Sequence, residues 1–223
     1  MKAPTRTQKE QRIIDAAEKV FETVGFKNAR MEDIAKEAEI TKVTLYTYFQ
    51  SKENLYMAIT FRALSSLVEV YEKTIQQSHD RPGIDSVIAV LECFMDFCEE
   101  NYLYSEALLE YFALVRSTLA LKDDTKLTEA MKESHYFSLL EELHNLPFKM
   151  TVKEIQRGMA DGSINAKIDP MFATLHGWTM VVGYVKVISA SGANATPLFN
   201  VKLKDLKKFN LDLTRRILSA QNI

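Results

Sequence analysis

Between Thr41 and Lys52 the chain gathers Thr41, Lys42, Thr44, Tyr46, Thr47, Tyr48 and Lys52. Their shared chemistry is hydrogen bonding and ion pairing to oxygen anions. Leu45 and Phe49 stand four residues apart, so a helix here buries both on its inner side. Lys42, Val43, Thr44, Tyr46, Thr47 and Tyr48 then point outward or sideways, and Thr41 is a good N-cap. A solvated helix face seldom spends two tyrosines and two threonines in this way. A helix entering a DNA major groove does, because hydroxyls and a cation hold phosphate oxygens while short side chains approach base edges, with Val43 suited to a thymine methyl. Just upstream, Ile34, Ala35, Ala38 and Ile40 are spaced to bury one side of another short helix against the same core. Met31 to Lys52 therefore reads as two short helices joined by a tight turn.

The run Thr41-Lys42-Val43-Thr44-Leu45-Tyr46-Thr47-Tyr48-Phe49-Gln50-Ser51-Lys52-Glu53, inside Ile34 to Leu55, resembles the helix-turn-helix of the tetracycline-repressor-type (TetR) transcriptional regulators. The resemblance extends back through Ala16-Ala17, Phe21 and Gly25-Phe26 and forward to Asn54-Leu55, roughly the first quarter of the chain. Three positions depart from the family pattern. Arg30 stands where a capping Ser or Thr is usual, so Asn28 is expected to cap the second helix and Arg30 to reach the DNA backbone. Glu39 replaces a turn glycine, at about 1 kcal/mol if the left-handed conformation is kept. Val43 replaces a Gly, Ala or Pro and alters the apolar surface offered to bases. The expected DNA contacts are Arg30, Lys42, Val43, Thr44, Tyr46, Thr47, Tyr48 and Lys52.

Composition sets the outer bounds. The chain has 223 residues, 47% of them hydrophobic, enough for a sizeable core in one or two domains. Seven Gly and five Pro are few for a fold of many tight turns, so the expectation is all-α. Residues 1–52 hold ten Lys/Arg against eight Asp/Glu, a net of +2, and residues 53–223 hold eighteen against twenty-two, a net of −4. The asymmetry is mild; its weight comes from placement, with Lys2, Arg6, Lys9, Lys42 and Lys52 near the proposed DNA face. Cys93 and Cys98, five apart on one expected helix, point to different sides and do not readily pair, which fits a reduced cytoplasm. There is no signal-peptide pattern at the N-terminus, and no window reaches the roughly 18 apolar residues of a membrane span. Met171 to Ser191 comes closest, but it contains His176 and Lys186.

Enzymatic signatures are weak. His79, His135, His144 and His176 form no i,i+4 pair and have no carboxylate or Cys partners at metal-ligand spacing, so no metal or cofactor is expected. No phosphate loop, nucleophile elbow or Cys/His pairing stands out.

In chain order, a short basic tail, Met1 to Arg6, precedes a first helix over about Thr7 to Val24, with Ile13, Ala17, Val20, Phe21 and Val24 on one face and Gly25 placed to end it. Residues 1–51 form the expected three-helix DNA-binding domain. Ser51 can cap a long fourth helix over about Lys52 to Gln77, whose first residue, Lys52, is expected near the DNA backbone. This helix joins the DNA-reading unit to the larger helical domain, 52–223, with no flexible linker between them. After the break at His79 to Gly83, helical patterns fill about Ile84–Glu100, Ser105–Leu119, Thr125–Asn145, Phe148–Asp161, Pro170–Ala190 and Leu203–Ala220, separated by Asp123-Asp124, Leu146-Pro147, Gly162-Ser163, Asp169-Pro170 and Ser191 to Pro197.

Aromatic residues concentrate between Glu92 and Ser138. Phe94, Phe97, Cys98, Tyr102, Tyr111, Phe112, His135 and Tyr136 are the candidate lining of a small-molecule effector pocket, and they are equally the usual content of a helical core. Asp96 or Glu110 would supply a counter-charge to a cationic effector. Ile155 to Ile164 and the helix carrying Gly177, Trp178 and Gly183 look like the helices through which TetR-type subunits form a four-helix bundle, with Ile155, Met159, Trp178, Val181, Val182 and Val185 as the candidate interface. The resemblance implies a cytoplasmic homodimer on a pseudo-palindromic double-stranded operator, most often a repressor, released when effector binding swings the fourth helix. Two other classes stay open: a helical carrier or sensor of lipid-like small molecules with no DNA role, and a helical scaffold. Both leave the Tyr46-Thr47-Tyr48-Phe49 segment unexplained.

Overall fold

The computed structural model describes residues 5–121, 134–191 and 200–220. Among them the chain is helical and has no β-strand, as its composition requires. The helices are α1 (Arg6–Asn28), α2 (Met31–Glu37), α3 (Lys42–Tyr46), α4 (Lys52–Gln77), α5 (Gly83–Glu100), α6 (Tyr102–Leu121), α7 (His135–Leu143), α8 (Leu146–Ala160), α9 (Pro170–Ser191) and α10 (Leu203–Ser219). The expected break at Asp123-Asp124, the one that follows Ser191 as far as Pro197, and the tail up to Pro4 with Lys2 lie outside the described residues. The helix expected from Phe148 begins two residues earlier, with Pro147 inside its first turn, where its missing N–H costs nothing.

Two compact units arise: residues 1–64 with 103–143, and residues 65–102 with 144–223. They divide the chain differently from the expected boundary at residue 51. The first half of α4 and most of α6 belong with the helix-turn-helix.

In the first unit, Thr5 starts α1 with a reciprocal capping box: its hydroxyl accepts from the Gln8 backbone N–H, and the Gln8 side chain accepts from the Thr5 N–H. At φ 75°, Gly25 breaks the helical path and lets the chain run on to Asn28 at a new angle. Ile13, Ile14, Ala17 and Phe21 of α1, Ile34 of α2, Leu45 of α3, Phe49, and Leu55 and Ile59 of α4 are buried. Each large apolar side chain among them contributes roughly 1.5–3 kcal/mol of burial. Arg62 adds a polar brace, donating to Asp15 at 2.7 Å and Gln11 at 2.7 Å and pairing with Glu18 at 2.9 Å. Tyr104 of α6 donates to the same Glu18 at 2.9 Å. Burial raises the Glu18 carboxyl above its usual range, against the lowering effect of Tyr104 and Arg62.

In the second unit, α5 is the central helix, packed by α8, α9 and α10. Its N-terminus has no side-chain cap of its own. The turn after α8 supplies one: the Gly83 N–H donates to Asp161 Oδ2 at 2.7 Å and the Ile84 N–H to Ser163 Oγ at 3.0 Å. Gly83 sits so close to α8 that a Cβ there would meet the Gly158 backbone N at 2.2 Å. Lys207 of α10 pairs with Asp96 and Glu99 of α5, and Tyr184 of α9 donates to Glu99 at 2.5 Å.

Candidate nucleic-acid interface and an adjoining cavity

Helix α2 ends in a Schellman turn, with the Ile40 N–H on the Ala35 carbonyl at 3.0 Å and the Glu39 N–H on the Lys36 carbonyl at 3.1 Å. Glu39 takes the left-handed position at φ 55°, where a glycine would be free of strain. The chain then enters α3 through Thr41, whose hydroxyl accepts from the Thr44 N–H at 3.1 Å and lies 2.9 Å from the Thr44 hydroxyl. Thr47 turns its hydroxyl back to the Thr44 carbonyl at 2.7 Å. With those hydroxyls committed to the helix itself, the outward surface is led by Val43, 77% exposed, and Tyr46, 41% exposed. Tyr48 is half-buried beneath the Arg6 guanidinium, 5.8 Å from its ring centre. This is a short, rigid, outward-facing helix with an apolar tip and phenols at its flank.

The family model for bacterial regulatory proteins of the tetR family matches residues 13–59, the span from the buried Ile13 of α1 to the buried Ile59 of α4. Over that span the chain is similar to the tetR family. It is 31% identical over 96 residues, 43% of each chain, to the HTH-type transcriptional activator FasR of Mycolicibacterium smegmatis. It is 27% identical over 168 residues, 75% of this chain and 70% of the relative, to the HTH-type transcriptional regulator UidR of Escherichia coli K12. A tetR-family regulatory protein from Rhodococcus RHA1 shares the fold over 97% of this chain and 99% of its own, with a TM-score of 0.68 at 15% identity. FadR of Bacillus subtilis, solved in complex with stearoyl-CoA, does so over 93% and 98%, with a TM-score of 0.64 at 16% identity.

Within this helix-turn-helix the three cations singled out from the sequence have different surroundings. Lys42 is exposed but paired with Glu32 of α2; the carboxylate raises the pKa of the Lys42 ammonium, and the ammonium lowers that of the Glu32 carboxyl. Lys52 does not stand free at the start of α4. Its ammonium donates to the carbonyls of Phe26 at 2.7 Å, Ala29 at 3.1 Å and Lys27 at 3.3 Å, and lies 4.6 Å from the Phe26 ring centre. An ammonium has three hydrogens, so the expected phosphate contact of Lys52 gives way to a clamp on the α1–α2 connection. Asn28 does not cap α2, because its side-chain amide donates back to the Val24 carbonyl at 3.0 Å. Arg30 occupies the N-cap position without a side-chain cap bond and is exposed. Lys9 and Arg12 of α1 join Thr44 and Tyr48 around a crevice of about 20 Å³. Arg12 escaped the sequence reading because only the fold brings α1 beside α3.

The eight candidate pocket residues divide between the two units. Phe94, Phe97 and Cys98 are buried in the second unit, where Phe94 meets Tyr71 edge-on at 6.1 Å, and Tyr102 is exposed. In the first unit Phe112 is buried and His135 exposed, while the Tyr136 phenol donates to Glu10 at 2.7 Å with its ring 6.3 Å from that of Phe49. Only Tyr111 borders the cavity of the first unit, about 230 Å³, whose other walls are Phe26, Glu53, Tyr56, Met57, Glu110 and Leu114. These come from α1, α4 and α6, and no periodicity within one helix announces such a set.

The expected dimer residues are largely spent inside the second unit. Ile155, Val181 and Val185 are buried there, Met159 and Val182 are half-buried, and the half-buried Trp178 ring lies 6.1 Å from Phe148. Gly158 packs on Gly83 and Ile164, and Gly177 on Leu91. The apolar surface left exposed is different: Met171 and Phe172 of α9, Phe209 and Leu213 of α10, with Gly183 facing open space. Over Pro170–Ser189, α9 is long and apolar enough to cross a membrane by length and composition, at a mean hydropathy of 1.2. That apolarity has a local cause, since one side packs on α5 and α8 while Phe172 remains on the other.

Proposed function

We propose that this protein is a cytoplasmic, ligand-responsive transcriptional repressor that binds a pseudo-palindromic operator as a homodimer. The observation that carries the reading is α3, fixed by the Schellman turn and the Thr41 cap and presenting Val43 and Tyr46 outward. Val43 and Thr47 read base edges. Tyr46, Tyr48, Lys42 and Arg30 hold phosphates, with Lys9 and Arg12 beside them, and Lys52 keeps the α1–α2 connection in place.

One helix this short reads only a few base pairs, so useful specificity needs two copies on half-sites a helical turn apart. The exposed face made by Met171, Phe172, Phe209 and Leu213 supports an isologous pairing of α9 and α10, with Gly183 admitting a close helix approach. Two copies of α9 and α10 form four helices. FadR, of similar fold, was solved with stearoyl-CoA, which supports control by a small molecule. Effector binding favours a conformation in which the paired α3 helices no longer match successive grooves.

The test is selection of duplexes from a randomised library by the purified protein, followed by sedimentation of the complex. The reading expects an enriched site with two inverted halves, bound by an even number of protomers. Recovery of no enriched sequence contradicts it.

A further inference from the structure

The cavity of the first unit is walled almost entirely by apolar surface from Phe26, Tyr56, Met57, Tyr111 and Leu114, with Glu53 and Glu110 as its charged members. None of its seven lining side chains is a cation. The Tyr56 phenol is hydrogen-bonded to Glu110 and feels the negative charge of Glu106 as well. An apolar chamber with carboxylates and no cation among its described lining residues attracts one ligand chemistry: a flat or compact apolar body carrying a positive charge. Its volume, about 230 Å³, is around one and a half times the roughly 150 Å³ cavity that takes up benzene, which suits a bicyclic amine and is too small for an acyl-CoA.

Phe26 links this chamber to the DNA-reading helices. Its ring is a wall of the cavity, sits 4.5 Å from that of Tyr56 and meets Phe21 edge-on at 5.4 Å, and Phe26 also touches Lys52 through both the ring and the carbonyl. Lys52 also holds Ala29, the residue immediately before the Arg30 N-cap of α2. A body entering the chamber presses on the residue that anchors the α1–α2 connection.

We propose that this cavity is an effector site for a small aromatic amine in its protonated form, and that occupancy is transmitted to α2 and α3 through Phe26 and the Lys52 clamp. The proposal rests on the regulator reading for its second half and stands without it for the first. It places an effector site beside the helix-turn-helix, in the same compact unit.

The experiment uses the full-length protein and three probes of one shape and different charge: protonated tryptamine, neutral tryptophol and anionic indole-3-acetate. Calorimetric titration without DNA is expected to show tryptamine bound at least about tenfold more tightly than indole-3-acetate, as a charge facing carboxylates near a surface requires. Glu110→Gln should remove most of that preference, and Met57→Trp, which fills the chamber, should abolish binding of tryptamine. Thermal melts by circular dichroism check that each variant is folded. Equal affinity for all three probes, no binding at millimolar concentration, or unchanged tryptamine binding in a folded Glu110→Gln protein overturns the site. Anisotropy on the selected duplex then tests transmission: tryptamine should weaken DNA binding at least about fivefold, a coupling at the low end of the usual range, and an unchanged DNA affinity at saturating tryptamine overturns it. A protein that takes tryptamine but prefers no duplex retains the site and loses the regulator reading; one that prefers a duplex but takes no tryptamine does the reverse.

Discussion

Lys42 is held by Glu32 in the free protein, so a phosphate must compete with a carboxylate for it. Replacing that carboxylate should therefore help DNA binding. Glu32→Gln is expected to raise operator affinity and to steepen its salt dependence by up to about one phosphate contact, measured by anisotropy across a salt series. Glu39 sets a different balance. Its left-handed φ of 55° costs about 1 kcal/mol relative to glycine, whereas its ion pair with Arg12, 3.5 Å long and exposed, contributes little. Glu39→Gly should then raise stability by up to about 1 kcal/mol in urea unfolding. Local residues such as these were legible in advance. Glu39 at the turn, Thr41 as a cap and Ser51 capping Asn54 all act within three or four residues of themselves. Lys52 was not legible, because its acceptors lie 23 to 26 residues upstream and are backbone carbonyls that no side-chain pattern marks.

At the scale of elements, two glycines that look alike in sequence separate cleanly. Gly83 lets α5 touch the α8 backbone, and a methyl there has no room. Gly183 faces open space on α9. Gly83→Ala should cost about 1–3 kcal/mol or more in unfolding experiments, because backbone cannot yield as a side-chain tip can. Gly183→Leu should leave the protomer folded and shift sedimentation toward monomer if α9 forms the dimer face. Helix positions were readable from apolar spacing and from Gly, Pro and Asp punctuation, and α10 starts at the expected residue. Which side of α9 is inner was not readable, because that helix is apolar nearly all round. The packing of α5, α8 and α10 decides it, leaving Phe172 outside and Val181 within.

For the whole chain, the absence of a disulfide has a measurable side. Burial raises the Cys93 thiol to about 11 and the Cys98 thiol to about 12. Both therefore remain protonated and poor nucleophiles through neutral pH, gaining thiolate only as pH rises toward those values. A disulfide-exchange reagent at pH 8 should label neither in the native protein and both in denaturant. The chain's net charge of −2 says little about DNA, because attraction depends on where Lys and Arg are placed and not on their sum. The central claim, that this protein reads a DNA sequence through α3, is tested most directly by anisotropy on duplex DNA from immediately upstream of its own gene, against a scrambled duplex, at two salt concentrations. The account predicts tight binding that favours the native duplex at both salts, with the preference changed by a Val43 substitution. Equal affinity for the two duplexes that falls together with salt, unaltered by Val43, would contradict it, since that is phosphate attraction alone.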